Sequence, residues 1–234
     1  MDEAAREAVL EAIAGRRSVR GFTSEPAPRE TVEEILRVAA RAPSATNTQP
    51  WRVHVLTGAA RERLAAAILK EREDGAPEPE PEYGYYPKAW PEPYLSRRRA
   101  LGWELYGILG IARGDRAAAR RWQDENFRFF GAPVGFIFTL DRRLGGASFI
   151  DLAMFMQNVC VAARAFGLDT CPQAAFAHYH EAVRRELALE PPELVVCGMA
   201  LGHEDPGAPA NRLRAEREPL ASFALFHDDD CGAA

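Results

Sequence analysis

Apolar residues recur at helical spacing along much of this chain. Val9 and Ile13 lie four residues apart in a segment that stops at Gly15, a residue type that commonly ends helices. A second such segment stops before Pro43, which cannot continue a helix. The pattern predicts helices over about 4–14, 29–41, 60–73, 96–112, 116–130 and 180–188.

A further helical segment begins at Ser148 and is apolar nearly all round. This composition predicts a buried helix up to Gly167, at the centre of the domain or of a dimer interface. Ser148 and Asp151 have the spacing of a capping box, so we expect them to cap the start of this helix.

Three apolar runs, 53–56, 134–140 and 194–201, have the length and composition of strands. Between 74 and 95 the periodicity is interrupted by six prolines among acidic and aromatic residues. We interpret this stretch as part of an excursion, about 74–130, from a single domain that spans 1–234. Strands separated by helices predict either an α/β or an α+β protein, and the pattern alone does not choose between them.

Composition excludes several classes of function. The formal net charge of −5 provides no basic surface for nucleic acid. No apolar stretch is long enough to span a bilayer, and the first residues lack the apolar core of a signal peptide, so we expect a cytoplasmic protein without a membrane partner. The four cysteines form no CxxC pair, which predicts unpaired thiols and no metal site. They are Cys160, Cys171, Cys197 and Cys231.

Two short segments have the composition of a binding site. Arg16-Arg17-Ser18-Val19-Arg20 offers three guanidinium groups suited to phosphate, although a solvated turn after a helix has the same composition. The polar loop from Pro43 to Trp51, sequence PSATNTQPW, offers donors and acceptors suited to the edge of a heteroaromatic ring, although serine and asparagine are also common in ordinary turns. Together the segments predict a site for a phosphorylated aromatic cofactor.

These segments, RRSxR and PSxxNxQPW, together with the arginines before Glu218-Pro219-Leu220, resemble the FMN-dependent nitroreductase family from about residue 8 to 227. The middle and C-terminal stretches are most similar to its nitroarene and nitrobenzoate reductases. The resemblance implies an α+β fold with a small mixed β-sheet surrounded by helices. It also implies a homodimer whose subunits exchange a C-terminal extension.

The same resemblance implies which residues bind FMN. In the N-terminal set, Arg16 and Arg20 contact the phosphate and ribityl chain, and Ser18 helps to position them. Arg17 presents its backbone to the ring. The loop set serves the flavin of the other subunit: Pro43, Ser44 and Asn47. Gln49 is expected to hold the backbone of its own loop instead.

Two further segments complete the implied site. One lies over a face of the flavin, and the backbone N–H of Ala174 donates to N5: Pro172, Gln173, Ala174 and Ala175. Many family members have Glu-Gly at 174–175. The tail contributes Arg214 and Arg217; relatives use Lys-x-Arg here, Ala215 takes the lysine position, and Arg214 is the candidate replacement. A solvated basic strip is the alternative interpretation of these tail arginines.

Other reactive or aromatic residues are less specific. Cys171 invites a nucleophile or redox interpretation, but packing is favoured because no histidine or second cysteine lies near it in sequence. The run 97–99 of three arginines suits the extra phosphate of NADPH, a substrate carboxylate or simply a solvated helix start. Aromatic residues of the excursion are expected to form part of the substrate cavity.

The activity implied is an FMN-dependent NAD(P)H oxidoreductase that reduces nitroaromatics or quinones by a two-step, ping-pong hydride transfer through flavin N5. FMN stays bound, NADH or NADPH is the electron donor, and the substrate is a small aromatic molecule. No dedicated side-chain acid or base is implied, because the cofactor carries the chemistry. The alternatives are the same fold with reductive dehalogenation or flavin fragmentation, or a non-catalytic flavin-binding protein.

Overall fold

The centre of the fold is a four-stranded sheet with helices on both faces. The computed structural model describes residues 2–73 and 78–227, and these contain all the elements named below. The strands are β1 Arg52–Thr57, β2 Val134–Asp141, β3 Asp169–Gln173 and β4 Glu193–Gly202. The helices are α1 Glu3–Gly15, α2 Arg29–Ala39, α3 Gly58–Glu73, α4 Tyr94–Ile108, α5 Arg116–Asp124, α6 Ala147–Arg164, α7 Ala175–His178 and α8 His180–Leu187.

The strands lie in the order β1-β2-β4-β3, and each neighbouring pair is antiparallel. A bulge between Phe138 and Thr139 shifts the register of β2 against β4. The α+β prediction is confirmed. A mixed sheet was expected, with both parallel and antiparallel pairs. In the described part of the chain, the parallel pairing is a single bridge between Ser18 and Thr170 at the β3 edge.

One face of the sheet packs against α2 and α6. Alternate residues of β2, such as Phe136 and Phe138, meet Ile35 of α2 and Phe155 of α6 in a buried cluster. Side chains of a strand point alternately to its two faces, so Phe136 and Phe138, two residues apart, both face α2 and α6. The helix predicted to be buried, α6, therefore lies directly on the sheet.

On the opposite face, two strand glycines make room for aromatic rings. A Cβ on Gly135 would lie 2.5 Å from the ring of Phe129, and a Cβ on Gly198 would lie 2.3 Å from the ring of Phe176. Those two rings stack on each other, with centroids 4.7 Å apart. Any larger residue at either glycine would displace this pair.

A polar cluster surrounds the buried side chain of Glu193, the first residue of β4. Its carboxylate accepts hydrogen bonds from the Thr139 hydroxyl at 2.7 Å, from Nε2 of His54 at 2.8 Å and from the Glu190 amide at 3.1 Å. Arg52 forms an ion pair with it at 3.1 Å. Burial acts to raise the pKa of Glu193, but the hydrogen bonds outweigh it and lower the pKa to about 2.

Three predictions about elements are wrong or incomplete. The helix predicted over 116–130 ends at Asp124, because Phe129 and Phe130 adopt positive φ angles that place their rings in the core. The strand β3 and the short helix α7 were not predicted, since Pro172 is untypical of strands. The predicted capping box is also absent: α6 begins at Ala147, after a Gly146 cap without a side-chain hydrogen bond.

Several apolar side chains remain exposed on this single chain. On α1, Val9, Leu10 and Ile13 are each at least half exposed. In the tail, Phe223 and Phe226 are both 71% exposed. Within residues 2–73 and 78–227, no helix combines the length and apolarity that crossing a membrane requires.

Candidate functional site

The arginine-rich segment after α1 runs along the edge of β3. Ser18 bridges to Thr170, and the Val19 amide donates to the Thr170 carbonyl at 3.0 Å. This pairing makes Val19 fully buried and leaves its neighbours Arg16 and Arg20 half-buried. Pairing with the edge of β3 therefore fixes the backbone of this segment and, with it, the direction in which the arginine side chains extend.

A cavity of about 850 Å³ lies beside this segment and is called the arginine cavity here. Its lining combines residues from α1 and the following segment, α4, α6 and the tail. These are Ile13, Ala14, Gly15, Arg16, Arg17, Ser18, Arg20, Leu101, Gln157, Leu213, Arg214, Ala215 and Arg217. The structure thus brings the predicted N-terminal and tail arginines together, although about 200 residues separate them in sequence.

The charge of the arginine cavity is strongly positive. Arg17 forms an ion pair with Glu204, on the segment that follows β4. Among the residues that the structure describes, no carboxylate forms an ion pair with the other four arginines of the lining, Arg16, Arg20, Arg214 and Arg217. Forked cationic donors that converge on one cavity fit a dianionic phosphate group.

Asn211 is a site-supporting residue that the sequence pattern did not reveal. Its buried amide accepts a hydrogen bond from the Arg20 backbone at 2.7 Å. It donates to the carbonyls of Gly21 at 2.8 Å and Asp205 at 2.9 Å. The Asn211 side chain therefore joins the arginine segment to the residues just before the tail. All three of its hydrogen bonds are made to backbone groups of the protein.

The tail arginines turn partly toward their own backbone. Arg214 donates to the Leu213 carbonyl at 3.0 Å, and Arg217 donates to the carbonyls of Ala215 and Glu216 at 3.0 and 2.9 Å. Both side chains are exposed and both line the arginine cavity, as does Ala215, the position at which the family resemblance implies lysine. This geometry is compatible with Arg214 in the role of that lysine.

A second cavity, of about 310 Å³, is lined mainly by apolar side chains and is called the apolar cavity here. Its lining is Tyr85, Phe149, Leu152, Ala153, Met156, Gln157, Cys160, Pro172, Val196 and Cys197. Gln157 lines both cavities, so one side chain of α6 marks where a charged pocket meets an apolar one. Gln157 is one of few polar residues in a mainly apolar helix, and this was the only signal of its position that the sequence offered.

The residues of the segment predicted to face the flavin ring, 172–175, lie in different environments. Pro172 is exposed in the apolar cavity. Gln173 is buried, and its side chain donates to the Asn126 carbonyl at 2.6 Å, so it belongs to the core. Ala174 and Ala175 are half-buried where β3 passes into α7, outside the lining of either cavity.

The polar loop contacts α6 at Asp151, and its residues line neither the arginine cavity nor the apolar cavity. Pro43 and Asn47 are exposed, and Ser44 is half-buried. The Ser44 hydroxyl accepts from the Gln49 amide at 3.0 Å, and the Gln49 side chain donates to the Asn47 carbonyl at 3.3 Å. Gln49 therefore holds the loop's own backbone, as expected.

The described cysteines are buried thiols. Burial raises the pKa of Cys171 to about 11 and that of Cys197 to about 12, although the charges of Arg20 and Arg16 act in the opposite direction at Cys171. Cys160 is also buried, and its pKa is raised by burial. A protonated, buried thiol is a poor nucleophile, so packing is the better interpretation of Cys171. Cys231 lies outside the described residues.

The excursion contributes aromatic residues near the apolar cavity. The Tyr83 hydroxyl donates to the Val196 carbonyl at 2.6 Å, which fixes the segment that carries Tyr85. The run of three arginines lies at the start of α4. There, Arg97 pairs with Glu218 at 2.8 Å, and Arg98 lies over the ring of Trp90 at 5.4 Å. The excursion residues 74–77 lie outside the described part of the chain.

Comparison with known proteins agrees with this geometry. The chain is 46% identical over 215 residues to a chloronitrobenzene nitroreductase of Comamonas testosteroni, and 45% identical over 215 residues to a nitrobenzene nitroreductase of Ectopseudomonas oleovorans. Each alignment covers 92% of this chain and 94% of the relative. A crystal structure of an FMN- and NADPH-dependent nitroreductase, NfnB, from sphigopyxis sp. strain HMH superposes with a TM-score of 0.91 at 37% identity, over 94% of this chain and 99% of that one.

A family model described as the nitroreductase family matches residues 13–203, from the end of α1 to just beyond β4. The matched range includes the arginine segment, the polar loop and α6. The resemblance found in the sequence is confirmed, and the chain belongs to the nitroreductase family.

Proposed function

We propose that this protein is an FMN-dependent NAD(P)H oxidoreductase that reduces nitroaromatics or quinones. The observation that carries the proposal is the junction at Gln157 of a cavity lined by five arginines with an apolar cavity. A molecule with a phosphate at one end and a flat aromatic ring at the other matches both parts. FMN has this construction, and relatives that align with more than nine-tenths of the chain are named as nitroarene reductases.

In this proposal the phosphate lies among Arg16, Arg20, Arg214 and Arg217, with Ser18 helping to position the first pair. Arg17, which is paired with Glu204, lies at the wall of the same cavity. Arg16 and Arg17 would stabilise negative charge near the edge of a bound flavin ring electrostatically. Pro172, which is exposed in the apolar cavity, would cover one face of the ring, while Gln173 supports it from the core. The backbone N–H of Ala174, next to Ala175 at the start of α7, would donate to N5.

Bound FMN supplies the two-electron chemistry, namely hydride uptake from NADH or NADPH and hydride delivery to an oxidised aromatic molecule, for which amino-acid side chains have no equivalent. The residues of the chain hold the cofactor, orient it and exclude water from the site. The apolar side chains of Phe149, Leu152 and Met156 exclude water from the second cavity and favour a flat, uncharged ring. The excursion, about 74–130, completes the substrate cavity through residues such as Tyr85.

We also infer that the working molecule is a homodimer. The exposed apolar residues of α1 and of the tail support this inference, because exposed clusters of large apolar side chains often mark a protein–protein interface. In the dimer, the tail packs on the partner, and Pro43, Ser44 and Asn47 reach the partner's flavin. Pro43, Ser44 and Asn47 line neither the arginine cavity nor the apolar cavity of their own chain, which is consistent with this arrangement.

The location that we propose is the cytoplasm. Its support is chemical: the three described cysteines are free and buried, as is usual for proteins of a reducing compartment.

Nucleic acid is not among the proposed partners. The negative net charge of the chain does not favour binding to the phosphate backbone.

The first experiment is the visible spectrum of the purified protein, recorded before and after anaerobic addition of NADH or of NADPH. A yellow protein whose flavin bands bleach, and then recover when nitrobenzene is added, supports the proposal and identifies the better donor. Product analysis separates it from dehalogenation and flavin fragmentation. A colourless protein that does not bind added FMN contradicts it, and bound flavin without turnover favours a non-catalytic flavin-binding protein.

The dimer is tested separately by light scattering. We expect twice the chain mass of 25.9 kDa. A tail variant that carries Phe223→Asp and Phe226→Asp should shift the mass toward one chain, because the charge opposes burial of both rings. A monomeric wild-type protein would contradict this part of the proposal.

A further inference from the structure

Asp151 occupies an unusual position for a carboxylate. It lies on α6 and is only 4% exposed. The capping-box spacing gave it a local role at the start of the helix, but α6 begins at Ala147 and Asp151 does not cap it. Instead, its Oδ1 atom accepts a hydrogen bond at 3.2 Å from the backbone amide of Ala45, 106 residues away in the polar loop.

The loop that Asp151 holds is strained. Thr46, Asn47 and Gln49 all have positive φ angles, between 47° and 61°, a region that residues other than glycine seldom adopt. Such conformations persist only where surrounding contacts enforce them. The bond from Asp151 to Ala45 fixes the backbone immediately before this strained stretch and immediately after Ser44.

The stability of the fold does not account for an aspartate here. Its Oδ2 atom is buried and has no hydrogen-bond partner among the residues that the structure describes. A buried carboxylate with so few partners is costly, and an apolar residue of similar size would suit the neighbouring core better. A residue that lowers the stability of the fold in this way is typical of a functional site.

We propose that Asp151 is a positioning residue that fixes Ser44 and Asn47 for contact with the flavin of the partner subunit. The inference rests on the proposed function, because it requires a dimer with bound FMN. Asp151 touches the loop backbone and acts through it. A carboxylate suits this role because its Oδ1 atom accepts the Ala45 amide from inside the core, a bond that an apolar side chain cannot form.

The first test compares three variants of the holoenzyme by dilution, with the fluorescence of released FMN as the probe. We expect Asp151→Leu to weaken FMN binding about tenfold, the effect of one lost hydrogen bond to the loop, while its Tm stays at or above that of the wild type. Asp151→Asn keeps an acceptor oxygen and should stay within about threefold of wild-type affinity. Ser148→Ala, the other residue of the capping-box spacing, is the control and should bind FMN as the wild type does.

Wild-type affinity in Asp151→Leu overturns the proposal. Equal losses in Asp151→Leu and Asp151→Asn also overturn it, because the asparagine still offers an acceptor to Ala45. A fall in Tm and in FMN affinity in both Ser148→Ala and Asp151→Leu would assign Asp151 to helix stability instead.

The second test asks which subunit's flavin Asp151 serves. Two differently tagged chains, one Asp151→Leu and the other Arg20→Ala, are co-expressed, and the mixed dimer is isolated through both tags. If Asp151 acts on the partner's site, one site receives an intact arginine segment and an intact loop, so the mixed dimer binds one FMN with wild-type affinity. Each parent homodimer binds FMN weakly at both sites.

If Asp151 acts within its own subunit, both sites of the mixed dimer carry a defect and no tight site is recovered, which overturns the proposal. Failure of the proposed function gives a different result. In that case the Arg20→Ala homodimer binds FMN as well as the wild type does, or the wild-type protein binds none, whatever residue 151 is.

Discussion

The indole ring of Trp51 stacks on the phenyl ring of Phe155, with centroids 4.9 Å apart and an angle of 12° between the planes. Trp51 ends the polar loop, and Phe155 lies one turn after Asp151 on α6. The same face of one helix therefore holds the loop at both ends, by a hydrogen bond at Ala45 and by a ring stack at Trp51.

Loss of this stack should destabilise the protein. We expect Trp51→Ala to lower the free energy of unfolding by about 2–3 kcal/mol, since a half-buried aromatic ring and its stacking partner are lost. Trp51→Phe keeps a ring against Phe155 and should cost about 1 kcal/mol or less. Urea unfolding measures both, with Trp103→Ala as the control because Trp103 is 50% exposed. Equal effects of the two alanine substitutions would show that the stack contributes nothing.

Arg20 should act on cofactor retention rather than on folding. Removal of one charge-assisted contact with phosphate is expected to weaken FMN binding about 10- to 100-fold. The absorbance ratio of flavin to protein after gel filtration reports the occupancy. Arg29→Ala, which removes an arginine paired with Glu33 on the exposed surface of α2, should retain full occupancy. Normal flavin content in Arg20→Ala would refute the assignment of the arginine segment.

The buried carboxylate of Glu193 should make stability depend on pH in the acid range. Its pKa in the folded protein, about 2, lies below the usual 4.5, so the unfolded chain binds more protons between these values. The stabilisation is complete above about pH 4.5 and is lost as the pH falls toward about 2. We therefore expect the Tm of Glu193→Gln to vary less with pH over this range than that of the wild type.

The same substitution should lower stability at neutral pH by about 2 kcal/mol, because the bonds to His54 and Thr139 lose their charge. Glu62→Gln on the exposed face of α3 provides the comparison for the general effect of removing a charge. Parallel Tm curves for wild type and Glu193→Gln would contradict the assignment of the acid sensitivity to this residue.

Asn211 should be intolerant of its acid isostere. In Asn211→Asp, an oxygen would replace the amide nitrogen that donates to Gly21 and Asp205, so two donated bonds become repulsive contacts. We expect a loss of about 2–3 kcal/mol in unfolding free energy, together with weaker FMN binding through the displaced Arg20 backbone. Thermal unfolding with and without added FMN measures both effects, and an unchanged Tm would exclude this role.

Much of the fold could be predicted from local pattern. The boundaries of α2, β2 and β4 lie within two residues of those expected, because each is a long segment with a clear period and a clear end. The strand β3 escaped prediction because five residues that include Pro172 give no alternation signal. The role of Asp151 escaped because a local capping pattern is indistinguishable, in sequence, from a contact with a distant loop.

The candidate site divides in the same way. The arginine segment and the polar loop are dense local patterns, so they were recognisable from sequence. Glu204, Asn211 and Gln157 are single polar residues whose partners lie far away along the chain. Only the folded arrangement assigns them, because a single polar residue in sequence does not show what it contacts.

The arginine cavity takes its walls from both ends of the chain, residues 13–20 and residues 213–217. A dianion bound there acts as a removable cross-link between two segments that the fold also joins through Asn211, the Arg17–Glu204 pair and the backbone bridge of Phe22 with Glu204. Each tenfold rise in free cofactor above its dissociation constant then adds about 1.4 kcal/mol to the stability of the folded state. The amount of intact protein in a cell should therefore follow the supply of flavin.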